Sequence, residues 1–194
     1  MATHPQTMIP SSAFAEDYRS KLTRTLAALD MEQVGKLIDL LARARDQQRH
    51  IFVCGNGGSA STASHFVTDM VKGASYERKE RFRILALTDS LSTITAYSND
   101  VSYECVFLEQ LKNFAQRDDL LIAISGSGNS PNVLRAVEYG KSVGCKTVGL
   151  TGRDGGKLGP LVDLQINVAE PHMGRIEDSH LFVLHMVCYY FMEN

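Results

Sequence analysis

A hydroxyl-rich stretch, ISGSGNSP at residues 124–131, carries the residue types best suited to binding an anion. It follows an apolar run, residues 120–124, and precedes a helical pattern over residues 132–143. Ser130 stands at the expected N-cap and Pro131 at the first helical position, where its missing N–H costs nothing. A helix start offers backbone N–H groups and the positive end of a dipole. The phosphate-binding residues that this pattern predicts are Ser125, Gly126, Ser127 and Ser130, and the alternative is a loop that only turns the chain.

A second loop, GNGGSA at residues 55–60, also follows an apolar run and opens a helix. Its glycines let backbone N–H groups approach a ligand closely, and Asn56 and Ser59 add hydrogen-bonding side chains. The pattern matches a variant of the dinucleotide fingerprint, with Asp89 as the ribose-binding acid, but Asp89 lies further on than the usual ~20 residues. We therefore predict that Asn56, Gly57, Gly58 and Ser59 form one wall of a binding site for a small ligand.

Two later patterns combine histidines with carboxylates. His65 and Asp69 are four residues apart and share one helix face, which suits a metal pair, a base held by a carboxylate, or an ordinary solvated pair. The last helical pattern contains Glu177, His180 and His185 on an otherwise apolar helix, where buried polar groups need partners. Glu177 and His185 are roughly 12 Å apart along a helix axis, so spacing alone ranks His180 equally with His185. Two hydrogen-bonded core histidines are the alternative.

The elements that must position these residues alternate between short apolar strands and helices. The strands are predicted at residues 51–54, 83–87, 120–124, 146–151 and 164–168. This alternation predicts an α/β fold with a single doubly wound five-stranded parallel sheet, flavodoxin-like or Rossmann-like. Ligands of such sheets bind beyond the carboxyl ends of the strands, and both glycine-containing loops fall there.

The N-terminal part is predicted to be a helical extension. Residues 1–10 resemble a flexible tail, residues 11–48 hold two helical stripes for oligomerisation, and residues 49–194 form the main domain. Asp30 and Gln33 resemble a capping box at the start of the second stripe. The last helix, which includes Phe182, is apolar nearly all round and is therefore expected to be buried in the core or in a subunit interface. We expect a homo-oligomer.

Composition excludes several classes of function. A net charge of −2 without a basic run argues against direct nucleic-acid binding. No apolar run approaches membrane-spanning length, and the N-terminus lacks the pattern of a signal peptide. The four cysteines are scattered without a CxxC pair and are expected to be buried thiols in a reducing compartment. We expect a cytoplasmic protein without a membrane partner.

The motifs together resemble the sugar isomerase (SIS) family and, within it, the phosphoheptose isomerases. The residues that carry the resemblance are GNGGSA (55–60), SND (98–100), SGSGNS (125–130), LTGRDGGKL (150–158) and RIEDSH with a later histidine (175–185). The resemblance implies an SIS fold and an aldose–ketose isomerase that converts sedoheptulose 7-phosphate to D-glycero-D-manno-heptose 7-phosphate in heptose biosynthesis. It also implies a homotetramer with active sites between subunits.

The resemblance assigns roles to particular residues. It implies substrate contacts at the glycine loop, at Asn99 and Asp100 and at the three serines, with zinc positions at His65, Asp69, Glu177 and His185. It thereby selects His185 over His180. The family carries glutamate at the position of Asp69 and glutamine at that of Glu177. Asp69 or Glu177 would be the catalytic base, and His185 or else His65 the proton donor. A non-catalytic SIS protein that binds a sugar phosphate, such as one associated with a replication initiator, is the alternative function.

Overall fold

The computed structural model describes residues 9–194, so most of the expected tail at 1–10 lies outside the described residues. The helices are α1 (Ser11–Ala27), α2 (Met31–Asp46), α3 (Gly58–Thr68), α4 (Leu91–Asp100), α5 (Val106–Phe114), α6 (Pro131–Val143) and α7 (Met173–Glu193). The strands are β1 (His50–Gly55), β2 (Arg83–Ala86), β3 (Leu120–Ser125), β4 (Lys146–Gly152) and β5 (Leu164–Val168). A π-helical turn (Asp69–Gly73) continues α3, and two 3-10 turns cover Tyr103–Cys105 and Gly159–Leu161.

The five strands form one parallel sheet in the order β2-β1-β3-β4-β5. This confirms the predicted α/β fold with a doubly wound sheet. The strand order reverses between β1 and β3, and such a switch point opens a crevice at the carboxyl ends of the two strands. Gly55 pairs with Ile124 at this end, so the glycine loop after β1 and the serine loop after β3 lie side by side.

Alternate residues of the central strands face two separate apolar layers, as the strand period requires. Val53 and Ile122 face the layer that holds α2, α3 and α7, whereas Phe52 and Leu121 face the layer that holds α5 and α6. All four side chains are fully buried. The sheet is thus covered on both faces, which leaves its carboxyl edge as the place where polar groups can meet a ligand.

The two N-terminal helices differ in how firmly they join the domain. The Asp30 carboxylate accepts hydrogen bonds from the N–H groups of Glu32 and Gln33, which confirms Asp30 as the cap of α2. Leu37 and Leu41 of α2 are completely buried in the core. By contrast, α1 buries no residue. The division at residues 48 and 49 stays a prediction, and the packing shows that α2 belongs to the same core as the sheet.

Helix α7 packs one face on the sheet layer, whereas Phe182 and Tyr189 on its outer face are 42% and 54% exposed in the single chain. The core half of the prediction for this helix thus holds for the inner face, and burial of the outer face in a subunit interface stays a prediction. Asn99 and Asp100 form the last turn of α4. The prediction for the cysteines was right in that all four are buried and free. Among residues 9–194, every helix is too short or too polar to cross a membrane.

Candidate active site

The serine loop carries its hydroxyls at the junction of β3 and α6. Ser125 ends β3 and is buried, and Ser130 occupies the N-cap of α6 with Pro131 at the first helical position, as predicted. Within the described part of the chain, the Ser130 hydroxyl makes no capping bond and instead lies 3.1 Å from the Ser125 Oγ. Because the helix does not use this hydroxyl, Ser125 and Ser130 present a pair of adjacent Oγ atoms to an anion.

The loop that follows β4 holds the serine loop in shape. Gly128 has a φ of +64°, and a Cβ there would lie 2.1 Å from the carbonyl oxygen of Gly155. The N–H of Leu158 donates to the Gly128 carbonyl (2.9 Å), and the N–H of Lys157 donates to Asn129 Oδ1 (3.2 Å). The LTGRDGGKL motif therefore supports the serine loop, a role that its sequence alone did not indicate.

The glycine loop and the serine loop enclose one pocket of about 250 Å³. Its walls are Asn56, Gly57, Gly58, Ser59, Ile124, Ser125, Gly126, Ser127, Ser130, Met173 and Glu177. The structure thus brings together the residues predicted for the two loops and adds Glu177 from α7. A larger groove, about 680 Å³, lies between α2 and the amino-terminal ends of β3, β4 and β5. It is at the sheet edge opposite to the one where ligands of doubly wound folds bind.

Glu177 occupies its place in the pocket because residue 58 has no side chain. A Cβ on Gly58 would lie 2.6 Å from Glu177 Oε1, so a side chain at residue 58 would displace this carboxylate from its observed position. Gly58 is also the first residue of α3, and the positive end of a helix dipole favours a carboxylate. The Glu177 carboxylate therefore extends from α7 into the pocket, where it lies against the first residue of α3.

An ion pair fixes the first turn of α7. Glu177 lies just after this turn. Arg175 Nη2 lies 2.7 Å from Glu170 Oε1, and this guanidinium, with the N–H of His172 and the Thr25 hydroxyl, lowers the pKa of Glu170 to about 2. Thr25 belongs to α1, so the carboxylate ties the N-terminal helix to the loop before α7. Tyr18 of α1 adds a hydrogen bond to Asp178, beside Glu177.

A second polar group, the histidine cluster, consists of His65, Asp69 and His185. Asp69 Oδ2 lies 3.2 Å from His65 Nε2 and 3.7 Å from His185 Nε2, and the two Nε2 atoms are 2.9 Å apart. Asp69 begins the π-helical turn, a feature often found at functional sites. Two imidazole nitrogens at this distance need one donor and one acceptor, so one of the two Nε2 atoms carries no proton. Imidazoles and carboxylates are the groups most often used in general acid–base catalysis.

The donor atoms of the histidine cluster also fit a metal ion. All three lie within 4.8 Å of one another. Their separations of 2.9, 3.2 and 3.7 Å bracket the roughly 3.3 Å expected between ligands of a tetrahedral zinc ion. Two imidazoles and one carboxylate are a common ligand set for catalytic zinc.

The structure separates Glu177 from the histidine cluster, although the resemblance grouped them as zinc positions. Glu177 and His185 are eight residues apart on α7, which places them roughly 12 Å apart along the helix. Helices α3 and α7 pack together, so Gly58 meets Glu177 at one level and His65 meets His185 about two turns further on. Within one chain, three of the four positions converge and Glu177 lies in the loop pocket.

His180, which spacing alone ranked with His185, is a core residue. Its ring is 1% exposed, and Nε2 donates a hydrogen bond to the carbonyl oxygen of Thr151 (3.0 Å). Burial lowers the pKa of His180 to about 4, so the ring is neutral at physiological pH. The third residue of the cluster is therefore His185.

Asn99 and Asp100 do not line the pocket in a single chain. Asn99 Nδ2 donates to Asp100 Oδ1 (2.7 Å), and both residues are exposed at the end of α4. Asp100 lines a separate shallow depression formed by α4. Their predicted contact with substrate stays a prediction.

Comparison with known proteins identifies the family. The sequence model of the SIS domain matches residues 13–152. The chain belongs to the SIS domain family. A phosphoheptose isomerase of Helicobacter pylori (strain P12) is 40% identical to it over 171 residues, which are 88% of each chain. A probable phosphoheptose isomerase of Thermoplasma acidophilum is 37% identical over 90% of this chain and 95% of the relative.

Solved structures of SIS proteins agree with this assignment. A phosphoheptose isomerase from Neisseria gonorrhoeae has a TM-score of 0.84 and 31% identity, over 95% of this chain and 97% of its own. A phosphoheptose isomerase from Francisella tularensis has a TM-score of 0.89 and 26% identity, over 96% and 100% of the two chains. The family's fold therefore extends over both N-terminal helices and α7.

The Gly128→Ala variant tests the support of the serine loop. The added methyl would collide with the Gly155 carbonyl in a left-handed backbone conformation, so we expect a loss of at least about 1 kcal/mol in the free energy of unfolding. Urea denaturation measures this loss, and calorimetry should show weaker binding of inorganic phosphate. Gly35→Ala in α2 is the control, because its methyl would meet open space and should stabilise the helix by roughly 1 kcal/mol.

The His180→Gln variant tests the assignment of His180 to the core. In the folded state the pKa of this ring is about 4, below the ordinary value of 6.5, so the unfolded chain binds a proton more readily than the folded protein. Its contribution to stability is complete above pH 6.5 and is lost as the pH falls towards 4. We expect glutamine, which does not titrate, to flatten the fall in unfolding free energy over this range. Exposed His172→Gln should keep the wild-type slope, and equal slopes in all three proteins would contradict the assignment.

Proposed function

We propose that this protein is a phosphoheptose isomerase that interconverts sedoheptulose 7-phosphate and D-glycero-D-manno-heptose 7-phosphate. The observation that carries the proposal is the placement of a serine-lined pocket and a proton-transferring cluster along the same pair of helices, α3 and α7. Relatives named phosphoheptose isomerase, 37–40% identical over most of their length, support the choice of substrate.

The serine loop holds the phosphate of the substrate. Ser125, Ser127 and Ser130 donate hydroxyl hydrogen bonds to the phosphate oxygens, and the start of α6 adds the positive end of its dipole. A firm grip on a remote phosphate supplies binding energy that holds the reacting carbons in place. The histidine cluster lies about two helical turns beyond Glu177, so an extended open-chain sugar of several carbons fits better than a short one.

Proton transfer takes place at the other end of the sugar. A carboxylate, Asp69 or Glu177, removes a proton from C1 of the ketose while a histidine, His185 or else His65, donates one to the C2 carbonyl oxygen. The resulting enediol loses the proton of its C1 hydroxyl and receives a proton at C2, which gives the aldose. General acid–base catalysis of this kind contributes roughly 10²–10⁴-fold for each group. Glu177, in the pocket between phosphate and cluster, accepts hydrogen bonds from the sugar hydroxyls.

Zinc is the metal that the histidine cluster would hold, through His65, Asp69 and His185. A bound zinc ion would polarise the carbonyl oxygen of the substrate. In the metal-bound form Asp69 would be a ligand, and the carboxylate nearest to the sugar would be Glu177. Both carboxylates therefore stay candidates for the base, and His185 or His65 for the proton donor.

We further propose that the protein is a cytoplasmic homotetramer in which residues 11–48 contribute to assembly. Phe14 on α1 is 58% exposed, and α7 presents Phe182 and Tyr189 on its outer face. Exposed apolar side chains that recur on neighbouring helices are typical of an interface between subunits. His185 is adjacent to this face of α7, so assembly would place neighbouring subunits close to the histidine cluster.

Two substitutions test the catalytic assignment. Asp69→Asn and His185→Ala should each lower turnover of sedoheptulose 7-phosphate at least about 10²-fold, because each removes one proton-transfer group. Binding of the same sugar phosphate, measured by calorimetry, should persist. The control is Asp39→Asn, which alters an exposed carboxylate on α2 and should leave turnover unchanged. Wild-type protein that binds the sugar phosphate but converts no ketose phosphate would instead favour the non-catalytic SIS protein.

Light scattering tests the proposed assembly. The wild-type protein should have four times the 21.4 kDa mass of the chain. The double variant Phe182→Asp, Tyr189→Asp should shift this mass towards that of the single chain, because it places charges on the apolar face of α7. Tyr76→Asp, which alters an exposed tyrosine elsewhere, should remain a tetramer. A wild-type protein that is fully active as a monomer would overturn the proposal.

A further inference from the structure

A chain of side-chain amides connects the start of α6 to the substrate pocket. The first link is Asn132, which is 2% exposed. Its Oδ1 accepts a hydrogen bond from the backbone N–H of Val133 (3.0 Å). Because a backbone N–H can only donate, the atom that faces it must be the carboxamide oxygen. The orientation of the Asn132 amide is thereby fixed.

The fixed amide of Asn132 sets the orientation of the next one. Asn132 Nδ2 donates to Asn56 Oδ1 and Asn56 Nδ2 donates to Asn132 Oδ1, each at 2.9 Å. The Tyr103 hydroxyl lies 2.7 Å from the same Asn56 Oδ1. A carboxamide oxygen only accepts, so Tyr103 must be the donor. The direction of this last hydrogen bond follows from the backbone of α6.

The network leaves two groups for a ligand. The Tyr103 oxygen has spent its only proton on Asn56 but keeps acceptor capacity, and the side chain is 52% exposed. Asn56 Oδ1 already accepts two hydrogen bonds, whereas Asn56 Nδ2 has used one of its two protons. Asn56 lines the pocket beside the serine loop. The remaining donor of Asn56 and the acceptor of Tyr103 therefore lie at opposite edges of the Asn56 carboxamide, and only Asn56 itself lines the pocket.

The turn that carries Tyr103 is held against α6. Glu104 forms an ion pair with Arg135 of α6 (2.6 Å), and Cys105 is buried. Tyr103 is therefore held by its own hydrogen bond and by the two residues that follow it in sequence. A hydroxyl held in this way can act on a ligand without first being ordered, which lowers the entropic cost of binding.

We infer that Tyr103 is a specificity-determining residue, whose oxygen accepts a hydrogen bond from a hydroxyl of the sugar. Asn56 Nδ2 is left to donate to a different oxygen of the ligand, and a polyhydroxy chain offers several hydroxyls that are each donor and acceptor. A phosphate held at the serine loop and the unsubstituted carbons of an alkyl chain offer no such donor to the Tyr103 oxygen. This inference rests on the proposed sugar phosphate substrate and names the group that separates polyhydroxy phosphates from other phosphate esters.

Calorimetry on full-length Tyr103→Phe tests this inference with three ligands: sedoheptulose 7-phosphate, an unsubstituted alkyl phosphate and inorganic phosphate. We expect the variant to bind sedoheptulose 7-phosphate roughly tenfold more weakly, the size of one lost hydrogen bond, and to bind the other two like the wild type. Its KM should rise by the same factor. The matched control, Tyr76→Phe, removes an exposed tyrosine hydroxyl away from the pocket and should bind all three ligands normally.

Two results would overturn the inference. Equal affinity of wild type and Tyr103→Phe for sedoheptulose 7-phosphate would mean that the hydroxyl does not contact the sugar. An equal loss of affinity for all three ligands would mean that Tyr103 only shapes the pocket. Failure of the proposed reaction is distinguishable from both results, because the wild-type protein would then bind sedoheptulose 7-phosphate without converting it. In that case the comparison of affinities between wild type and Tyr103→Phe still decides the role of Tyr103.

Discussion

The packing of α3 against α7 is the contact on which the rest of the site depends. Without a side chain at residue 58, the Glu177 carboxylate reaches the start of α3 and enters the pocket. About two turns further along, His65 and Asp69 from the α3 side meet His185. The spacing between the Glu177 carboxylate in the pocket and the histidine cluster is therefore a property of two helices. A shift of α7 by one residue would rotate its side chains by about 100° and would separate both contacts.

The sheet fixes the positions of the glycine loop and the serine loop relative to α3 and α7. The order β2-β1-β3-β4-β5 places the carboxyl ends of β1 and β3 next to each other, and the loops after them form one pocket. The loop after β4 then supports the serine loop through Gly128 and Gly155, which approach each other too closely for any side chain. The start of α6 contributes to both sides of the pocket, since Ser130 occupies its N-cap position and Asn132 anchors the amide network.

Much of the fold could be predicted because strand and helix periods differ and because the turn residues are distinctive. Strand β5 was predicted with its observed bounds, and Asp30 and Pro131 marked helix starts through local chemistry that needs no tertiary contact. The sequence did not say which face of α7 meets the core, because nearly all of its residues are apolar, and only the structure places Phe182 on the outer face.

The sequence by itself determined the fold class and the two loops that line the pocket, because hydroxyls, glycines and helix caps act through local spacing. Spacing left His180 and His185 equal, and the tertiary structure gives the physical reason for the choice of His185 that the resemblance implied, since one side chain meets Thr151 in the core and the other meets His65 on α3. Only the tertiary structure decided that Glu177 belongs to the pocket and that Tyr103 reaches Asn56. These contacts join residues that are distant in the chain, and a spacing rule that operates within one helix or one turn carries no information about them.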